Sequence, residues 1–114
     1  MADRRAENAL KTLHEVVWYS LDFGHGAEYP AIRDDLAGMD MDEPQAERLR
    51  RLDELAIDYI LTADLDDIWP GLLEDHPDRP IERWWWHLGA IRRGRYPIET
   101  LPEHLQRAIR EASA

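Results

Sequence analysis

The spacing of apolar residues constrains this chain more than any other feature. Ala6, Leu10, Leu13, Val17 and Leu21 fall at steps of four, three, four and four, the repeat that gathers side chains into one stripe of an α-helix. Comparable spacing returns along three later segments. No run alternates apolar and polar residues for long, so strands are not expected. With short links between the helical segments, the expected fold is all-α: a compact bundle of five or six short helices in one domain over residues 1–114.

Local signals place the boundaries. The first helix is expected from about Asp3, which can cap it, to Ser20, with Gly24 and Gly26 stopping it. Residues 22–30 read as a loop, and Pro30 opens a short second helix through about Leu36. Asp42 or Glu43 ahead of Pro44 marks the start of a third helix. It runs to about Leu61, with Leu49, Leu52, Ala56, Tyr59 and Ile60 on its inner face and Leu55 beside them. A fourth, shorter helix follows Thr62 or Asp64 and carries Leu65, Ile68, Trp69, Leu72 and Leu73, and Pro70-Gly71 must kink or divide it. The fifth is expected from Pro80 to Gly94, with Ile81, Trp84, Trp85, Leu88 and Ile91 as its stripe and Gly94 as the left-handed residue that ends it. The last helix is expected from Leu101 or Pro102 to Glu111, aligning Leu101, Leu105, Ala108 and Ala112 with Ile109 alongside.

Charge says what such a bundle meets. The chain carries 14 basic against 24 acidic residues, a formal net of −10. From Asp34 to Asp78 there are 15 acids against three arginines, a net of −12, whereas from Ile81 to Ala114 six arginines face four glutamates, a net of +2. An acidic field of this kind repels nucleic acid and anionic membranes and attracts basic partners, although acidity also serves solubility alone. A basic partner protein is therefore expected, and nucleic acid is not. The absence of cysteine excludes disulfides, thiolate zinc sites and cysteine nucleophiles. No apolar run approaches the roughly 20 residues that cross a bilayer, and Met1–Arg5 leads into no apolar signal core, so a cytoplasmic protein with no membrane contact is expected.

Motifs that would carry chemistry are weak. There is no phosphate-cradling glycine loop, dinucleotide fingerprint or nucleophile elbow, and His14-Glu15 lacks the second histidine of a zinc-protease helix. Asp64-Leu65-Asp66-Asp67 reads as acids in the first turn of a helix. The best metal- or ligand-binding alternative is Asp22-x-x-His25-x-x-Glu28, which a glycine-flanked loop could present with His14 or His87. No cofactor is expected. Trp84-Trp85-Trp86 is the most unusual run. Trp84 and Trp85 can flank the stripe of the fifth helix, while Trp86 points toward the side of Gly89, Ala90 and Arg93. There it packs under the first helix or the 22–30 loop, anchors an interface, in which tryptophan is enriched, or stacks on a small ligand or base. Arg92, Arg93 and Arg95 with Tyr96 form the one basic patch. Arginines interleaved with an aromatic could grip a phosphate or a nucleic acid strand, but dipole compensation and ion pairing explain the patch better. It could also dock on the acidic segment of a second copy to form a homodimer.

These features favour a non-enzymatic interaction module of the inhibitor, antitoxin or immunity type that binds a basic protein. The expected contact residues are Asp53, Glu54, Asp58, Asp64, Asp66 and Asp67, with Trp86 as a second patch.

Overall fold

Apolar spacing and capping chemistry decide where each helix begins and ends. The computed structural model describes residues 4–20, 28–64 and 70–113, and over these the chain is all-α, without a strand. None of the described helices is long and apolar enough to cross a membrane. The first helix, α1 (Arg4–Glu15), buries Ala6, Leu10 and Leu13 as expected. Beyond Glu15 it widens into a π turn, Val16–Ser20, a rare geometry that occurs as single turns within α-helices. Here Val16 is the buried valine and Val17 only partly so, the reverse of the expected order. The same turn carries Trp18, which is 57% exposed.

Helix α2 (Glu28–Ala37) begins ahead of Pro30. A proline in the first turn forfeits no bond, because the leading N–H groups have no intrahelical acceptor. Helix α3 (Glu43–Thr62) starts where expected. The Asp42 carboxylate accepts from the Gln45 N–H at 2.9 Å, and the Gln45 side chain accepts from the Asp42 N–H at 3.2 Å, a reciprocal cap worth about 1 kcal/mol. The inner face of α3 is Leu49, Leu52, Asp53, Ala56, Ile57 and Ile60. This is rotated from the expected face, since Leu55 is exposed and Tyr59 only half-buried. The reason is Asp53: a carboxylate on the buried stripe disguises one edge of it, and Leu55 and Tyr59 then draw the apparent centre to the other side.

Pro70–Leu73 forms a 3₁₀ turn that buries Leu72 and Leu73. The remainder of the expected fourth helix, with Leu65, Ile68 and Trp69, lies outside the described residues. The expected fifth helix is not one helix. A turn after Pro80 leads to a 3₁₀ turn, Trp84–Trp86, and then to α4 (Leu88–Arg92). Bonds of the i to i+3 kind hold this stretch: the Arg83, Trp86 and His87 N–H groups donate to the Pro80, Arg83 and Trp84 carbonyls at 2.8–3.1 Å. Ile81, expected in the core, is 45% exposed. Helix α4 ends as expected. The Arg95 N–H reaches back to the Ala90 carbonyl at 2.8 Å and the Gly94 N–H to Ile91 at 3.2 Å, with Gly94 at φ +72°, the paired bonds of a left-handed glycine cap. After a 3₁₀ turn at Ile98–Thr100, helix α5 (Glu103–Ser113) follows, and Leu101, Leu105 and Ile109 are buried.

Packing is centred on α3. It lies most extensively against α5 and also against α1, while α1 packs on α2 and the Trp84–Trp86 turn sits against α2. Helix α4 crosses the end of α3. There Arg92 donates to the Ile60 carbonyl and, at 2.9 Å, to the Ala63 carbonyl, supplying donors that the helix itself lacks at its C-terminus.

Two glycines separate space from conformation. A Cβ on Gly89 would stand 2.1 Å from the Leu73 carbonyl oxygen, whereas one on Gly94 would meet nothing within 4 Å. Gly89→Ala should therefore cost about 1–3 kcal/mol by overpacking. Gly94→Ala should cost about 1 kcal/mol through its positive φ alone. Urea unfolding midpoints of the two variants check this, and a Gly94→Ala loss exceeding that of Gly89→Ala would contradict it.

Candidate functional site

The sequence names six acids as contact residues, and the structure separates them by what each carboxylate touches. Asp53 faces inward and is 2% exposed. It accepts from the Tyr29 hydroxyl at 2.7 Å, and the Arg33 guanidinium grips both of its oxygens, each at 3.0 Å. Burial raises its carboxyl above the ordinary aspartate range, against the opposing pull of Arg33 and Tyr29, and burial likewise drives the Tyr29 hydroxyl upward. Asp53 is thus an internal tie between α2 and α3 and does not belong to a partner-binding face. Its place on the Leu49–Ile57 stripe, four residues from each, was the sequence signal for this. Asp66 and Asp67 lie outside the described residues.

Asp34, next along α2, organises the tryptophan turn. Its Oδ1 accepts from Arg83 at 2.7 Å, from the Trp85 indole N–H at 2.7 Å and from the Trp86 indole N–H at 3.0 Å. Buried indoles need such an acceptor, and one carboxylate oxygen serves two of them. In the 3₁₀ geometry of the run, the adjacent indoles of Trp85 and Trp86 reach this one atom. Trp84 and Trp85 are buried and meet edge to face at 5.6 Å. The Arg33 guanidinium lies 4.4 Å from the Trp85 ring centre. Trp86 is half-buried rather than turned toward Ala90, with Arg79 over its ring at 4.3 Å and His76 against its edge at 5.1 Å. Its surroundings are its own chain's side chains.

Glu54, Asp58 and Asp64 remain on the outside: Asp58 and Asp64 are exposed and Glu54 half-buried. Glu54 and Asp58 line a groove of about 650 Å³ between α3 and α5, together with Glu47 and Glu111. Leu55, Ala108 and Ala112 supply its apolar lining, and Arg51 lines it too. No described cation pairs with Glu54, Asp58 or Glu111. Leu55, which the sequence reading set beside the core, is here a groove residue. A neighbouring hollow of about 250 Å³ is lined by His14, Trp18, Arg48, Arg51, Leu52 and Leu55. The sequence reading missed Trp18, although its place four residues after the exposed His14 already sets it off the buried stripe of α1.

The basic patch is largely spent internally. Arg92 caps α3, Arg93 stands 3.5 Å from Asp75, and Arg95 is exposed. Tyr96 is buried and donates to the Ile81 carbonyl, so it cannot stack on a nucleic acid base. Of the loop alternative, Asp22 and His25 lie outside the described residues, and Glu28 is exposed at the start of α2. His87 contacts the Pro80 carbonyl at 3.1 Å, and His14 packs against Trp18 with ring centres 5.8 Å apart. Among the described residues no three acidic or histidine side chains converge as a metal site would need.

Asp34 gives a pH test. Burial alone would raise its carboxyl, but the hydrogen bonds from Arg83, Trp85 and Trp86 outweigh this and hold it below the ordinary aspartate value. A depressed carboxylate stabilises the fold above its unfolded pKa of about 4, and that stabilisation is lost as pH falls through the lower folded value. Asp34→Asn should cost about 1.5–3 kcal/mol at neutral pH, and the gap from wild type should close in acid. Urea unfolding at a series of pH values measures it, and a gap constant into acid would contradict the assignment.

Comparison of the chain with protein-family models, with curated proteins and with solved structures found no match, so the functional reading rests on this geometry.

Proposed function

We propose that the protein is an interaction module of the inhibitor or neutralising type, acting in the cytoplasm, and that it receives a basic partner protein in the groove between α3 and α5. One observation carries this reading. Glu47, Glu54, Asp58 and Glu111 line a groove together with Leu55, Ala108 and Ala112, and among the described residues Arg51 is the one cation in its lining. Helix periodicity explains how α3 builds its side of the groove. Positions 47, 51, 54, 55 and 58 recur at three- and four-residue steps, giving an edge about 16 Å long. On α5, Ala108 and Ala112 are one turn apart, and their small side chains let a partner approach the backbone. Glu54, Asp58 and Glu111, which no described cation pairs with, steer a basic surface toward the groove and make the encounter sensitive to salt, whereas Glu47 is already engaged by Arg50.

The contact set differs from the sequence expectation in a definite way. Glu54 and Asp58 are kept, Asp53 leaves it, Asp64 is exposed but outside the groove lining, and Glu47 and Glu111 join it. Trp86 is replaced as the aromatic candidate, because its ring and N–H are already engaged.

The test is capture from a lysate of the source cells at low ionic strength, followed by direct kinetics with the captured protein. The expected partner is basic and stoichiometric, and a Glu54→Lys, Asp58→Lys double variant does not retain it. Its association rate should fall about tenfold or more between 0.01 M and 0.15 M salt, as the Debye length shortens from about 30 Å to 8 Å. A rate indifferent to salt, or equal capture by the double variant, would contradict the reading.

A further inference from the structure

Exposed charges alone make a fast encounter but a weak complex, since surface ion pairs are worth about 0–1 kcal/mol each. Affinity in interfaces comes from desolvated aromatic and aliphatic anchors. The large apolar side chains exposed among the described residues are Trp18, Leu55 and Ile81. Two of these, Trp18 and Leu55, line the hollow between α1 and α3. That hollow shares Leu55 and Arg51 with the acidic groove, so the two are one continuous surface.

We infer that this surface binds a basic amphipathic helix. Its apolar stripe seats a bulky residue between Trp18 and Leu55, and its lysines or arginines lie over Glu54, Asp58 and Glu111. The inference rests on the reading above and adds the anchor and the form of the ligand. Charge complementarity favours this occupant. The cations at the seam are compensated within the chain: Arg48 pairs with Glu7 at 2.7 Å, and Arg51 stands 3.6 Å from Glu47. Shape favours it too. A groove between two packed helices, with small residues on one wall, accepts a third helix whose anchors recur at three- and four-residue steps. The π turn sets Trp18 at the edge of this surface, and its ring is backed by His14. Trp18 is 57% exposed and Leu55 38% exposed, so both are available before binding.

The probe is a synthetic amphipathic peptide of about 18 residues, five helical turns, with leucines on one face and lysines on the other. A scrambled peptide of the same composition is the control, and calorimetry is the readout. The expected result is saturable one-to-one binding of the amphipathic peptide, about tenfold or more tighter than the scrambled one. Trp18→Ala and Leu55→Ala should each weaken binding about tenfold while leaving its salt dependence intact, with unchanged melting temperatures showing that both variants fold. Glu54→Lys with Asp58→Lys should abolish the salt dependence. Equal binding of both peptides, with Trp18→Ala and Leu55→Ala silent, would overturn the inference while leaving the acidic-groove reading standing. Failure of every basic peptide to bind would overturn both. Concentration-dependent self-association lost in Trp18→Ala would assign the surface to a second copy and overturn the inference.

Discussion

The structure depends on two adjacent residues of α2. Arg33 reaches one way into the buried Asp53 carboxylate of α3 and lies over the Trp85 ring, while Asp34 reaches the other way to Arg83, Trp85 and Trp86. A cation and an anion side by side thus tie α2 to α3 and to the tryptophan turn. The apolar return is large. A buried tryptophan removes 150–250 Å² from water, about 4–6 kcal/mol before entropy, and Trp84 and Trp85 are both buried here. Helix α2 supplies the polar and cationic neighbours: Asp34 accepts from the Trp85 indole N–H, and the Arg33 guanidinium lies near both rings.

The same interactions sort the acids of the −12 segment. Asp53 is consumed inside and Asp34 holds the tryptophan turn. Asp42 caps α3, and Glu43 and Glu47 engage Arg50. Glu54 and Asp58 are left on the α3 surface. They are joined by Glu111 from α5, an acid from outside the acidic segment. Net charge therefore gives the sign of the field, and folding decides where the field acts. The apolar neighbours Trp18 and Leu55 give that location a surface on which a partner could be held after it arrives.

Local physics made much of the fold legible. The buried Ala6, Leu10 and Leu13 of α1, the Asp42 cap ahead of Pro44 and the Gly94 stop all depend on neighbours within a few residues. On α5, by contrast, Ile109 takes the buried place expected for Ala108 and Ala112, which line the groove. The misplaced features have distant partners. Asp53 looked like a solvated acid because its partners, Tyr29 and Arg33, lie 24 and 20 residues away. The tryptophan run looked helical because its shared acceptor, Asp34, is about 50 residues upstream. Of the site, Glu54 and Asp58 could be read from charge on an outer helix face. Glu47, Glu111, the place of Trp18 in the hollow and the groove role of Leu55 could not, since they follow from how α1, α3 and α5 pack.

The most direct test is a double-mutant cycle on Arg33 and Asp53, using Arg33→Met and Asp53→Leu with stability from urea unfolding. Removing either partner alone strands a buried charge, and each single variant should lose about 3–5 kcal/mol. The double variant, with no charge left to strand, should lose far less than the sum, giving a coupling of about 2–3 kcal/mol. Losses that add to within about 0.5 kcal/mol would mean that Arg33 and Asp53 act independently, and α2 would not be held as described.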